Sequence, residues 1–146
     1  MSLFETLSVS ASGMSAQRAR TELLAQNIAN SETTRTPEGG PYRRQDIVFE
    51  TASVQQPFGS VFASAMEHGA PGVRVSEVLL DSKEPIRRYM PGHPDADDKG
   101  YVAFPNFSPI EEMVDLQNAS HNFNANITAA SAIKDMISRS IDLLRG

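Results

Sequence analysis

SPIEEMVDLQNASHNFNANITAASAIKDMISRSIDLLRG, Ser108 to Gly146, carries one helical period along its length. Ser108 can cap, Pro109 suits the first helical position, and Glu111 can close a capping box. Met113, Leu116, Ser120, Phe123, Ile127, Ala130, Lys134, Ile137, Ile141 and Leu144 then alternate three and four apart, the spacing of a heptad seam. The helix this predicts is roughly 55 Å long, more than a domain of this size spans. Val114, Ile133, Met136 and Leu143 are apolar but lie off that seam. One partner helix cannot cover both sets, so more than one neighbour is implied.

Outward from this stretch, the helix breakers are confined to the middle of the chain. All nine prolines lie between Pro37 and Pro109, and seven of the nine glycines between Gly39 and Gly100. The order is helix, irregular middle, helix. The first flank reads as helical from Ser2 to Asn30, with Phe4, Leu7, Ala11, Met14, Arg18, Thr21, Ala25 and Ile28 at 3,4 spacing. Its seam is poor in the middle, at Arg18 and Thr21, and Gly13 costs about 1 kcal/mol relative to Ala. Ser8, Ser10, Ser12 and Ser15 weaken it further, because their hydroxyls compete for backbone groups. The polar seam weighs against an intramolecular hairpin that folds alone and favours packing between subunits.

The middle alternates β-prone runs with turn chemistry, at Tyr42–Phe49, Val73–Leu80, Ile86–Met90 and Tyr101–Phe104, which suits a small β-rich module. TTRTPEGG, Thr33 to Gly40, has neither period and reads as an extended loop leaving the first helix. A mobile loop is expected between Gln55 and Pro71. The expected fold class is therefore α+β, with terminal helices (1–32 and 108–146) packed together around an inserted module (33–107).

Net charge is −5 and the isoelectric point is near 5.1. Only two arginine pairs occur, Arg43/Arg44 and Arg87/Arg88. That balance argues against nucleic acid and against a membrane surface. No stretch approaches the roughly 20 apolar residues of a spanning helix, and the N-terminus does not read as a cleavable secretory signal. Without cysteine there are no disulfides and no thiolate chemistry.

Chemistry is sparse. In PGHPDADDKGY, Pro91 to Tyr101, the residues Asp95, Asp97 and Gly100 fall at calcium-loop positions 1, 3 and 6. Lys99 then stands where an oxygen ligand is required and Asn106 where the bidentate Glu belongs, so the match fails. His93 with Asp95 and Asp97 could bind zinc or act as a base, but nothing brings His68 and His121 to them. A turn between two strands is the expected role. No P-loop, GxSxG, HExxH or GxGxxG pattern occurs, so neither catalysis nor a cofactor is expected.

Leu24-Ala25-Gln26-Asn27-Ile28-Ala29-Asn30 followed by Thr33 resembles the Asn-apolar-Ala-Asn signature that closes the first helix of bacterial flagellar axial proteins. TTRTPEGGPYRRQDIVF (Thr33–Phe49), PGHPDADDKGYVAFPN (Pro91–Asn106) and EEMVDLQNASHNFNAN (Glu111–Asn126) narrow the resemblance to the flagellar basal-body rod proteins, closest to those of the proximal rod. Thr51 to Val73 matches no motif of that family, and His121 stands where Arg is common. The resemblance implies a structural subunit of the drive shaft for motility, exported through the flagellar type III apparatus and stacked helically. Its implied partners are other proximal and distal rod subunits, membrane-ring and hook–basal body components, the export apparatus, and further copies of itself. An assembly interface is expected at Phe4, Leu7, Met14, Asn27, Ile28 and Asn30 of the first helix, and at Met113, Leu116, Phe123, Ile127, Ile137, Ile141 and Leu144 of the second. Arg35, Arg43 and Arg44 are expected in contacts along the rod axis. Weak terminal helices that order only on assembly would pass a narrow channel unfolded. The competing reading is a cytoplasmic adaptor or export chaperone, which would lack the aromatic β-rich middle.

Overall fold

The computed structural model describes residues 3–53 and 71–145. In chain order it has α1 (Leu3–Ala29), β1 (Gln45–Ser53), β2 (Pro71–Leu80), β3 (Ile86–Tyr89), β4 (Tyr101–Phe104) and α2 (Pro109–Arg145). The chain is α+β, as the helix-breaker distribution requires. Helices fill the two flanks that lack proline, and the four strands fall on the four β-prone runs. The loop expected between Gln55 and Pro71 lies outside the described residues except for Pro71 itself.

The two helices pack antiparallel within one chain. Asn27 meets Glu112, and two heptads earlier on α1 Gly13 meets Asn126, two heptads later on α2. That equal spacing is a coiled-coil register. Continued to Leu3, it reaches Met136, so α2 runs on from Ile137 to Arg145 beyond Leu3.

The seam differs from the expected one. Past Pro109, and apart from half-enclosed Asp115, the enclosed or half-enclosed positions on α2 are Glu112, Leu116, Ala119, Phe123, Asn126, Ala130, Ile133 and Ile137. Leu116, Phe123, Ala130 and Ile137 are the expected ones. Each other position lies one residue earlier than expected, so Met113, Ser120, Ile127 and Lys134 face away. On α1 the buried residues are Ala16, Leu23, Leu24 and Asn27, whereas Phe4 is 61% exposed and Arg18 and Ala25 are exposed. The reason is steric. The helices approach where side chains are small: a Cβ built on Gly13 would stand 3.1 Å from Asn126 Nδ2. A glycine read as a propensity cost is therefore a contact surface. The serines are reconciled with the helix as well, since the hydroxyls of Ser8, Ser10 and Ser12 donate to carbonyls of Phe4, Thr6 and Val9.

α1 is also sandwiched, and a single seam cannot describe it. The β1–β2 sheet lies along α1, while among the described residues no strand backbone lies close to α2. The sheet pairs antiparallel from Gln45↔Leu80 to Ser53↔Pro71, with a bulge that leaves Ser76 without an opposite residue. Register places Ile47/Val78, Phe49/Val75 and Thr51/Val73 on one face. On the other face, Arg74 and Ser76 donate to the Glu50 carboxylate. The backbone N–H of Val73 donates to Ser12 Oγ at 3.1 Å, fastening the far end of the hairpin to α1.

β3 and β4 form a second hairpin whose backbone, among the described residues, lies close to no other helix or strand. Loops hold it instead. Thr34 Oγ1 donates to Asp95 at 2.7 Å, Arg35 sits 3.8 Å from the same carboxylate, and Asn106 donates to the Glu84 carbonyl. The Thr33–Gly40 stretch is not extended, because Tyr42 N bonds Thr33 O and Thr36 N bonds Gly40 O. Gly39 and Gly40, both at positive φ, let it close on itself.

Gly13→Leu should destabilise the chain by about 1–3 kcal/mol through overpacking against Asn126. Gly13→Ala should stay near neutral, since about 1 kcal/mol of helix propensity offsets a small side-chain adjustment. Urea unfolding of the two variants measures the difference; equal stabilities would refute the close approach.

Candidate functional site

The Asn27 side chain is fully buried at 0% exposure, and its amide uses every hydrogen-bonding position it has. Nδ2 donates to Gln45 O and to Glu112 Oε2, both at 2.8 Å. Oδ1 accepts from Gln45 N at 3.0 Å and from the Tyr42 hydroxyl at 2.9 Å. By donating to and accepting from Gln45, the amide does what a neighbouring strand would do and closes the start of β1.

Glu112, 2% exposed, is the second member of the cluster. Its Oε2 takes the Asn27 amide and its Oε1 takes the Arg44 guanidinium, which also reaches Asp46 at 3.3 Å. The carboxylate is thus buried but paired, the condition under which burial of a charge is tolerable. Burial opposes the charge on Arg44, yet Glu112 and Asp46 more than offset it and hold the guanidinium above its ordinary value. Burial, and then the Glu112 charge, raise the Tyr42 phenol, so it remains a hydroxyl donor. Tyr42 also meets Phe107 edge-on, with ring centroids 6.4 Å apart.

These contacts join the end of α1, the start of β1 and the first turn of α2, where the chain's three long segments meet. The expected site residues separate accordingly. Asn27 lies inside the fold and does not face a neighbour. Arg44 is taken by Glu112, whereas Arg35 and Arg43 are exposed. Phe4, Met113, Ile127 and Ile141 face solvent; Leu7, Met14, Ile28, Asn30, Leu116, Phe123 and Ile137 are partly covered. Leu144 lies outside the described side chains. Glu112 and Tyr42 went unnoticed from sequence. The available signal was the charged Glu112 standing one turn before Leu116, on the same stripe.

The Pro91–Gly100 stretch is the β3–β4 connection, as expected. Asp97 Oδ1 accepts from Lys99 N and Tyr101 N, while Asp95 takes Thr34 and its own N–H donates to His93 Nδ1. Gly100 has φ +80°, and a Cβ there would come within 2.9 Å of Tyr89. The acidic residues organise a turn and do not converge on a point. Among the described residues no group of His, Asp and Glu is arranged to hold a metal, and no helix is long and apolar enough to cross a membrane.

What these parts define is a structural subunit: two termini clasped into one helical pair by a polar cluster, with apolar faces turned outward and no convergent reactive groups among the described residues. Comparison with known proteins agrees. Residues 7–35 match the model of the flagella basal body rod protein family, and residues 98–143 match that of the flagellar basal body rod FlgEFG protein C-terminal region. Over its full length the chain is 41% identical to all of the flagellar basal-body rod protein FlgC of Borreliella burgdorferi. It is 36% identical to that of Bacillus subtilis over 98% of the chain and 99% of the relative, and 34% identical to that of Salmonella typhimurium over 98% of each. The chain belongs to the flagellar basal-body rod proteins, within the FlgC family. The Asn27–Asn30 signature that carried the resemblance therefore has a structural content. Asn27 closes the clasp, and Asn30 donates to Gln26 O and accepts from Thr33 at the helix end.

Asn27→Ala should cost far more than Asn30→Ala. The first strands Gln45, Tyr42 and Glu112, at about 1–3 kcal/mol for each buried group left unsatisfied, whereas the second loses local bonds worth about 1 kcal/mol. Chemical denaturation of both variants checks this; similar losses would remove the clasp from its central place.

A second expectation concerns acid. The Tyr101 N–H, ahead of that of Lys99, holds the Asp97 carboxyl below its ordinary 3.8. A depressed value means that the stabilisation is complete above the ordinary value and is lost as pH falls through the folded one. Protection of the Tyr101 and Lys99 amide protons, taken relative to intrinsic exchange at each pH, should therefore fall as pH drops below that ordinary 3.8. In Asp97→Asn, which still accepts but does not titrate, that acid dependence should vanish.

Proposed function

We propose that the chain is a structural subunit of the flagellar basal-body rod and that its outward apolar faces are where neighbouring rod subunits pack. The observation that carries this is α2. Ile110, Met113, Val114, Ile127, Met136, Ile141 and Leu143 are all exposed on a helix whose other side is already occupied by α1. So many large apolar side chains left bare along one helix mark an interaction surface. Covering these side chains removes apolar area from water at about 25 cal/mol per Å², and neighbouring subunits would supply the cover.

The family resemblance supports a position in the proximal rod, reached by export through the flagellar secretion channel without a cleaved signal. Lateral contacts fall to Phe4, Met113, Ile127 and Ile141, with Leu7, Met14, Ile28, Leu116, Phe123 and Ile137 completing them from beneath. Ile137 to Arg145, running past Leu3, is suited to bridging towards an adjacent subunit. Arg43, and Arg35 beyond its exposed pairing with Asp95, could make contacts along the axis, whereas Arg44 is taken by Glu112. Other rod subunits are the partners, joined by ring and hook–basal body components where these meet the rod.

Mass spectrometry of detergent-extracted basal bodies, with and without a functional export apparatus, tests the reading. Export-dependent presence is expected; a protein that stays soluble in the cytoplasm would sink it. Ile127, 44% exposed and off the intramolecular seam, allows a sharper version. Ile127→Asp should leave the monomer's stability within about 0.5 kcal/mol and its export intact while abolishing incorporation. Loss of export instead would show that the division between helices and export signal is wrong.

A further inference from the structure

Resting on the rod reading, we propose that two surface patches of this chain are complementary and that the outer face of the β3–β4 hairpin of one copy docks on the first turns of α2 of the next. Register places Arg87, Tyr89, Tyr101 and Ala103 on one face of the hairpin. The opposite face carries the buried Val102 and Phe104, with the Arg88 guanidinium 4.8 Å from the Phe104 ring centroid. The Arg87 face is therefore the outer one. Tyr89 is 65% exposed, Tyr101 meets it edge-on at 5.4 Å, and Met90 beside them is exposed too. Two tyrosines and an arginine on the outer face of a hairpin have the composition of an interface centre.

The second patch is the start of α2. Ile110, 73% exposed, and Val114 stand one turn apart on the side away from the Glu112, Leu116 and Ala119 seam, with exposed Glu111 beside them. One patch is aromatic and cationic, the other aliphatic and anionic.

Among the described residues the two stay apart within a chain, because the hairpin's backbone comes close to no helix. Among the described residues neither Arg87 nor Glu111 forms a salt bridge. Arg87 acts on Asp97 only through its field, and that carboxylate is already engaged by Lys99 N and Tyr101 N. Pairing like with like would oppose Arg87 to Arg87, or Glu111 to Glu111, which charge repulsion disfavours. What remains is a head-to-tail contact between copies. Such a contact does not use up its own surfaces, and it propagates into an open helical array unless the rotation closes a ring.

The chain contains no cysteine, so a directed cross-link has no background. The full-length protein carrying both Tyr89→Cys and Val114→Cys is expressed in motile cells, basal bodies are isolated and mildly oxidised, and non-reducing gels are read. A ladder of dimers and higher multimers of this chain is expected. Adding Arg87→Glu should lower the multimer yield about three- to fivefold, the size of an exposed charge pair, and Glu111→Arg on top of it should restore the yield. A subunit present in the basal bodies without a ladder would overturn the inference and leave the rod reading standing. So would cross-linking to a chain of different mass, or a yield indifferent to the charge reversal. Absence of the protein from basal bodies would overturn the rod reading and this inference together.

Discussion

A single buried amide sets the geometry of this chain. Asn27 can donate twice and accept twice, and all four positions are used by groups from three separate segments. No other side chain of that size replaces it. Leucine would strand Gln45, Tyr42 and Glu112, and aspartate could not donate and would set a second carboxylate against Glu112. The requirement runs outward from there. Because the Asn27 amide donates to Glu112, the buried carboxylate needs only one cation, and Arg44 arrives from the loop that leads into β1. The end of α1, the entry to the sheet and the first turn of α2 are thus fixed relative to one another by polar geometry, which is directional, before apolar packing extends the contact along the helices. A buried polar cluster of this kind contributes register more than raw stability.

Fixing that register explains where the sequence was legible and where it was not. Helix limits follow from local chemistry: Ser108-Pro109 starts α2 and the Asn27–Asn30 turn ends α1, and both lie within a residue of their expected places. The strands fall on the β-prone runs for the same reason, since branched and aromatic residues bounded by Pro and Gly have few alternatives. The faces of the helices were not legible. A heptad pattern weighs residues by apolarity, and the intramolecular seam of α2 includes Glu112 and Asn126, which such weighting rejects. The pattern found instead the stripe with Met113 and Ile127. That stripe is real, but it faces outward.

The same confusion arose at α1 from a different cause. A helix with one partner has one stripe, while α1 has α2 on one side and the β1–β2 sheet along another, so Leu23 and Leu24 are both buried although they point about 100° apart. Gly13 illustrates the limit of propensity reasoning. As a helical residue it costs stability; as a contact it lets Asn126 approach. Only the neighbour decides which reading governs, and no neighbour is visible in a one-dimensional pattern. The clasp was half legible, because Asn27 belonged to a recognised signature while its partners Tyr42, Arg44 and Glu112 lie in other segments.

The division of chemistry between the inside and the outside bears on what the chain is for. In an ordinary monomer the apolar residues are enclosed and the charged ones exposed. Here, where the segments join, an asparagine and a glutamate are enclosed, while Ile110, Met113, Val114 and Leu143 of α2 are exposed. The polar clasp orders the chain without using those apolar groups, so they remain available at a surface whose shape is already set. A subunit built this way loses less conformational entropy when it meets its neighbours than one whose helices must first find each other, so more of the burial energy survives as affinity. The clasp and the bare faces are two parts of one design: polar directionality spent inside the chain leaves the hydrophobic effect free to act between chains.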